Sequence, residues 1–128
     1  MTTHPHPRPL SRISNLDDIK QRLREFAEER DWDQFHSPKN LSMALAGEAG
    51  ELLEHFQWLT EADSRDLSDR QRHEVALELA DILIYLVRLS DKLDIDLLDA
   101  CSEKFRLNEA RYPVGTVRGS SKKYTEYT

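Results

Sequence analysis

Residues 74–88 read Glu-Val-Ala-Leu-Glu-Leu-Ala-Asp-Ile-Leu-Ile-Tyr-Leu-Val-Arg, in which a polar side chain interrupts the apolar ones at every third or fourth position. That period is typical of an α-helix rather than a β-strand. On a helical wheel the apolar residues form two groups, and a narrow polar stripe runs between them, made of Glu74, Glu78, Asp81, Tyr85 and Arg88. A polar stripe with apolar residues on both sides is expected to face the inside of a helical bundle.

The same periodicity recurs in three other segments, each preceded by a recognisable helix cap. The predicted helices cover about 16–30, 38–59, 69–93 and 97–111. Glycine and proline are scarce, and no β-branched stretch alternates apolar with polar residues. The sequence therefore predicts an all-α fold, a bundle of four main helices. We expect one helical catalytic domain at 13–115, a disordered Pro/His-rich tail at 1–12, and a C-terminal tail at 116–128 that could close over the site.

The composition excludes several functional classes. The chain has 128 residues, with 18 Lys plus Arg against 24 Asp plus Glu, so its net charge of −6 disfavours a nucleic-acid polymer as partner. The longest apolar run, 82–87, is too short to cross a bilayer, and the N-terminus has no apolar signal core. Cys101 is the only cysteine, which suits a reducing compartment. We expect a cytoplasmic protein that does not contact membranes.

A second pair of carboxylates lies on the second predicted helix. Glu48 falls within the apolar arc of that helix and Glu51 lies at its edge, and both pairs, Glu48/Glu51 and Glu78/Asp81, have i, i+3 spacing. Two carboxylates ~4 Å apart repel by roughly 4 kcal/mol at an effective dielectric constant of about 20, so a cation is expected to compensate them. Oxygen ligands without His or Cys favour Mg²⁺ or Mn²⁺, and protein-bound Mg²⁺ commonly meets substrate phosphates.

Two other interpretations of the acidic residues were weighed. The first is a non-catalytic helical scaffold whose acidic face binds a basic partner, which predicts no metal dependence. The second is a ferritin-like di-iron centre, which requires Glu-x-x-His on two helices. Neither His55 nor His73 has a Glu three residues before it, so the sequence disfavours that centre.

Glu48-Ala-Gly-Glu51 followed by Glu78-Leu-Ala-Asp81 resembles the ExxE…ExxD signature of the MazG-like all-α nucleoside triphosphate pyrophosphohydrolases. Flanking segments resemble the dCTP pyrophosphatase branch of that family. They are Arg-Asp-Trp-Asp-Gln-Phe-His at 30–36, Glu-His-Phe-Gln-Trp at 54–58, Asp-Ile-Leu-Ile-Tyr-Leu-Val at 81–87, Arg-Tyr-Pro at 111–113 and Ser-Lys-Lys-Tyr-Thr-Glu at 121–126. The resemblance covers about residues 16–126.

The resemblance implies roles for individual residues. It implies that Glu48, Glu51, Glu78 and Asp81 are magnesium ligands and form the catalytic centre. It also implies substrate-binding residues: Trp32, Trp58 and Tyr85 around the base, His36 in the neighbouring segment, and Lys104 and Asn108 near the phosphates or the pocket. The chain departs from the family at two positions: Gly47, where many members have a third Glu, and Leu23, where mammalian dCTP pyrophosphatases have a His.

The activity that the resemblance implies is Mg²⁺-dependent hydrolysis of a nucleoside triphosphate to its monophosphate and diphosphate. The expected substrate is dCTP or a modified dCTP, and the expected role is sanitation of the nucleotide pool. The same chemistry on another nucleoside triphosphate is the nearest alternative. Members of this family commonly form homodimers or homotetramers, and we expect one of these assemblies.

Overall fold

A computed structural model describes residues 12–121 and residue 125 of the chain. Within these residues all regular structure is helical and no strand occurs. Four helices are long, as predicted, and the all-α fold class is confirmed. The elements are α1 (Leu16–Glu29), a 3₁₀ turn (Asp33–Phe35), α2 (Pro38–Glu54), α3 (Glu61–Ser64), α4 (Asp69–Lys92), α5 (Leu97–Arg111) and α6 (Val114–Val117).

Side-chain caps explain where the long helices begin. The backbone N–H of Asp18 donates to Oδ1 of Asn15 over 2.8 Å at the start of α1. At the start of α4, the N–H of Gln71 donates to Oγ of Ser68 over 3.2 Å, and the N–H of Ser68 donates to Oε1 of Gln71 over 2.9 Å. This reciprocal pair is a capping box and satisfies amides that the helix leaves without partners. The sequence predicts the Ser68/Gln71 capping box, and for α1 it predicts either Ser14 or Asn15 as the cap, of which the structure shows Asn15.

The structure differs from the sequence prediction in the connections. Helix α2 ends at Glu54, whereas the apolar periodicity predicted about residue 59. After Glu54 the N–H groups of His55 and Phe56 donate to carbonyls three residues back, which tightens the chain into turns. The short helices α3 and α6 and the 3₁₀ turn have too few residues to show a helical period. The sequence predicts these segments as connections next to the long helices or as part of the C-terminal tail.

Helix α6 crosses the predicted boundary at residue 115, so the first residues of the predicted C-terminal tail are helical. Residues 122–124 and 126–128, with the cations Lys122 and Lys123, lie outside the described residues, as do residues 1–11 of the predicted N-terminal tail. Closure of the C-terminal tail over the site stays a prediction.

The chain divides into two compact units, one up to Leu89 and one from Ser90 onward. In the described residues the buried apolar side chains belong to the first unit: Ala27, Leu41, Val75 and Val87. They come from α1, α2 and α4, so these three helices form the core of the first unit. A search of the described residues found no helix with the length and hydropathy needed to span a membrane.

Candidate active site

Helices α2 and α4 bring three of the predicted carboxylates together. One oxygen each from Glu48, Glu78 and Asp81 lies within 4.8 Å of the others. Glu51 is exposed on α2 and is not part of this group, but it lies near enough to Glu48 to affect its pKa. The acidic cluster, defined as Glu48, Glu78 and Asp81, thus combines one carboxylate of α2 with the i, i+3 pair of α4.

The electrostatics of the acidic cluster are unfavourable to ionisation of Glu48. The pKa of Glu48 is raised from 4.5 to about 7. The largest cause is the neighbouring Glu78 carboxyl, with which Glu48 can share a proton, followed by burial, Glu51 and Asp81. Two ionised carboxylates cannot hydrogen-bond to each other, because neither has a proton to donate. Near neutral pH the cluster therefore needs either a proton or a cation.

The buried oxygens of the cluster fit a divalent cation. Oε2 of Glu48 and Oε2 of Glu78 are both buried, and neither has a hydrogen-bond partner among the described residues. A buried carboxylate oxygen without a partner costs free energy that a ligated metal ion would offset. Three clustered carboxylates without nitrogen or sulfur ligands match the coordination that hard cations prefer. The cluster could therefore hold a divalent metal ion.

Two residues of the acidic cluster, Glu48 and Asp81, also line a cavity of about 490 Å³ in the first unit. Helix α1 supplies apolar wall residues that include Ile19, Leu23 and Phe26. The cavity is large enough for a nucleoside-sized ligand, since small-molecule sites typically measure about 300–1,000 Å³. Leu23 is one of the two departures from the family pattern, and it makes this part of the wall apolar.

The turn after α1 positions Trp32 at the cavity wall. Asp31 adopts φ 54°, in the left-handed region, and the N–H of Trp32 donates to the carbonyl of Ala27 over 2.8 Å. With the bond from the Asp31 N–H to Glu28, this is a Schellman motif that ends the helix. The indole then packs edge-on against Phe26, with ring centroids 5.6 Å apart. Both rings line the cavity.

Arg88 links the 3₁₀ turn to α4. Its Nε donates to Nδ1 of His36 over 3.1 Å, and its Nη2 donates to Oδ1 of Asp33 over 2.8 Å. Arg88 is 5% exposed and is the one buried charged side chain in the part of the chain that the structure describes, whereas the Asp33 side chain is 62% exposed. His36 and Arg88 both line the cavity, together with Tyr85 one turn earlier on α4.

The remaining predicted site residues are neither in the acidic cluster nor among the residues that line the cavity of the first unit. Trp58 is in the turn after α2, is 87% exposed and is not among the residues that line this cavity. Lys104 and Asn108 lie one turn apart on α5, in the second unit. Gly47 lies in α2, and a Cβ placed there would have no neighbour within 4 Å among the described residues. The substrate-binding roles of Trp58, Lys104 and Asn108 stay predictions.

Sequence reasoning assigned no role to two cations of the cavity wall, Arg22 and Arg88. Arg88 carried a usable signal, because it lies seven residues after Asp81 and therefore on the same face of the helix. Arg22 precedes the apolar residue Leu23 in α1, and the helical period of α1 gives no sign that it borders a cavity.

Comparison with known proteins gives concordant matches. The sequence profile of the MazG-like family matches residues 44–127. Human dCTP pyrophosphatase 1 is 49% identical over 113 residues, or 87% of this chain, and bovine dCTP pyrophosphatase 1 is 46% identical over 98% of it. A pyrophosphatase crystal structure from Archaeoglobus fulgidus superposes with a TM-score of 0.73 at 36% identity, covering 83% of this chain and 99% of that one. The aligned part of this chain spans 66% of the human protein and 75% of the bovine protein.

Proposed function

Because the chain belongs to the MazG-like family, we propose that it is a nucleoside triphosphate pyrophosphohydrolase that acts on dCTP or a modified dCTP. The observation that carries this proposal is the acidic cluster at the cavity, where three carboxylate oxygens lie within 4.8 Å of one another. The names of the human and bovine relatives support the choice of dCTP. Removal of such triphosphates would serve sanitation of the nucleotide pool, and we place this role in the cytoplasm.

We propose that the metal ion at the acidic cluster is Mg²⁺ and that Mn²⁺ can replace it. Glu48, Glu78 and Asp81 would hold it, with Glu51 next to them on α2 as the fourth ligand. Bound Mg²⁺ would neutralise triphosphate charge and lower the pKa of a coordinated water. Oε2 of Glu48 and Oε2 of Glu78, which have no hydrogen-bond partner in the described part of the chain, support this assignment.

In the proposed reaction a water oxygen forms a bond to the α-phosphorus, and the bond from that phosphorus to the α,β-bridging oxygen breaks. The products are the nucleoside monophosphate and diphosphate. A carboxylate of the acidic cluster accepts the proton of the attacking water, as general-base catalysis requires. The base occupies the cavity beside Trp32 and Tyr85, where ring stacking holds it.

We also propose that the protein is a homodimer or homotetramer. Helix α4 leaves large apolar side chains exposed, among them Leu77 at 56% and Leu79 at 51%. Few apolar side chains are fully buried in the described residues, so association would bury surface that the first unit leaves in water. Light scattering after size-exclusion chromatography measures the assembly, and a monomer at all concentrations would contradict this part of the proposal.

A panel of canonical and modified deoxynucleoside triphosphates, assayed with Mg²⁺ and with EDTA, tests the reaction. We expect dCMP and diphosphate from dCTP, in a reaction that stops when the metal is removed. Orthophosphate with dCDP as the first products would indicate a phosphatase instead. A protein that hydrolyses no triphosphate in either buffer would support the non-catalytic scaffold.

A further inference from the structure

Arg88 is more deeply buried than an ion pair with an exposed carboxylate requires. It is 5% exposed, and its acidic partner Asp33 is largely in solvent. Burying a guanidinium is unfavourable unless its donors are satisfied, and a surface salt bridge contributes little. The second acceptor is Nδ1 of His36, a residue of the cavity wall. The buried cation is therefore directed at a side chain that borders the proposed base site.

The contact between Arg88 and His36 determines the state of the imidazole. A guanidinium only donates hydrogen bonds, so Nδ1 of His36 must be the acceptor and carries no proton. An imidazole that accepts at Nδ1 is neutral and holds its proton on Nε2. The same contact fixes which way the ring is turned. The cavity wall thus contains an imidazole that can donate from Nε2 and cannot accept there.

We propose that Arg88 is a positioning residue that sets base preference through His36. The proposal rests on the proposed function. It states that the site prefers a pyrimidine whose N3 accepts a hydrogen bond. Cytosine has an unprotonated N3, whereas uracil and thymine have an N3–H donor at the same place. An imidazole held as an Nε2–H donor in the cavity wall can donate to N3 of cytosine, but it cannot accept a hydrogen bond from the N3–H of uracil. A buried polar group discriminates between close analogues in this way.

The planar shape of the guanidinium explains why a lysine at position 88 would not hold the His36 ring in the same way. Nε and Nη2 lie on one edge of a rigid plane, and they reach the imidazole and the carboxylate at the same time, over 3.1 and 2.8 Å. A lysine ammonium is a point charge on a flexible chain and does not reproduce this fork. Arg88→Lys would therefore keep the attraction to Asp33 but lose control of the His36 ring.

The test compares dCTP with dUTP, because these substrates differ at the base edge without the methyl group of thymine. We expect the wild type to prefer dCTP. Arg88→Met and Arg88→Lys should each lower the ratio of kcat/KM for dCTP over dUTP by roughly threefold to tenfold, the effect of one neutral hydrogen bond. The change should appear mainly as a higher KM for dCTP, with kcat less affected. Asp33→Asn is the matched control, since it removes the ion pair but leaves the Arg88 contact to His36.

Nitrogen NMR of histidine-labelled protein gives a readout independent of catalysis, with His36→Gln used to assign the signal. We expect His36 in the wild type and in Asp33→Asn to be protonated at Nε2 only, and to exchange between tautomers in Arg88→Met. An active wild type without preference for dCTP over dUTP would overturn the proposal. An unchanged ratio in Arg88→Met, an equal fall in Asp33→Asn, or a proton on Nδ1 of wild-type His36 would also overturn it. A wild type that hydrolyses no triphosphate would instead refute the proposed function, and this inference with it.

Discussion

Two parts of the cavity lining differ in how their charges are compensated: the acidic wall, formed by the acidic cluster, and the wall of the 3₁₀ turn, formed by His36 and Arg88. In the acidic wall the buried oxygens of Glu48 and Glu78 have no hydrogen-bond partner in the described residues, and the pKa of Glu48 is raised to about 7. In the wall of the 3₁₀ turn the buried Arg88 donates to both Asp33 and His36. The acidic wall therefore needs a ligand to complete it, whereas the wall of the 3₁₀ turn is complete within the protein. This difference separates the proposed chemical function of the first wall from the proposed recognition function of the second.

The largest expected effect comes from breaking the acidic wall. Glu48→Gln or Asp81→Asn removes a proposed metal ligand, and we expect kcat/KM to fall by at least about a hundredfold. Glu54→Gln is the matched control, because Glu54 is exposed on the same helix and is not part of the acidic cluster. Steady-state kinetics with Mg²⁺ measure the effect. Glu48→Gln should not lower the melting temperature in EDTA. Near wild-type activity in both variants would show that the acidic cluster takes no part in the reaction.

A smaller effect is expected from the aromatic side of the cavity. Trp32 is 46% exposed and lines the cavity, whereas Trp58 is 87% exposed and does not. Base stacking on an aromatic ring contributes roughly 1–3 kcal/mol, so Trp32→Ala should raise KM by about fivefold to a hundredfold. Trp58→Ala should raise it less. Equal increases in the two variants would show that the base site includes Trp58, as the family resemblance implies.

The smallest expected effect concerns the helix that supports Glu48. Gly47 is inside α2, and a Cβ there would meet no atom of the residues that the structure describes within 4 Å. Alanine is favoured over glycine in a helix interior by about 1 kcal/mol, so Gly47→Ala should increase the free energy of unfolding by about that amount. Urea denaturation measures it. A loss of stability would mean that another chain or segment packs against this position.

The two walls also differ in how far the sequence could predict them. Carboxylates at i, i+3 on two helices are a local pattern, and periodicity alone predicted inward faces for Glu48 and the Glu78/Asp81 pair. The contacts of Arg88 join residues 52 and 55 positions apart in the chain, and no local period encodes such a distance. The helical period put Arg88 on the stripe of Asp81 and Tyr85, but it could not reveal its partners.

In the fold, too, the sequence predicts local features better than features that depend on packing. The caps at Asn15 and Ser68 were predictable because the capping oxygen and the amide are three residues apart. The end of α2 at Glu54 was not, since apolar residues continue at the helical spacing through Leu59 while the hydrogen bonds shorten to three-residue turns. The cavity formed by α1, the 3₁₀ turn, α2 and α4 depends on how these elements pack, which periodicity does not specify.

Urea unfolding between pH 5 and 8 tests whether a divalent cation completes the acidic wall. Without metal, the raised pKa of Glu48 means that the folded state holds its proton more tightly than the unfolded chain. The stability that this group contributes is therefore present at low pH and is lost as the pH rises from about 4.5 to about 7. Binding of a cation to the ionised cluster opposes that loss, and occupancy at 100 times Kd adds about 2.7 kcal/mol.

We therefore predict that the free energies of unfolding in EDTA and in excess Mg²⁺ lie close together at pH 5 and separate as the pH rises. In Glu48→Gln the separation should be much smaller, and the fall in EDTA that Glu48 causes should disappear. Curves for the wild type that coincide in EDTA and Mg²⁺ at every pH would contradict the account.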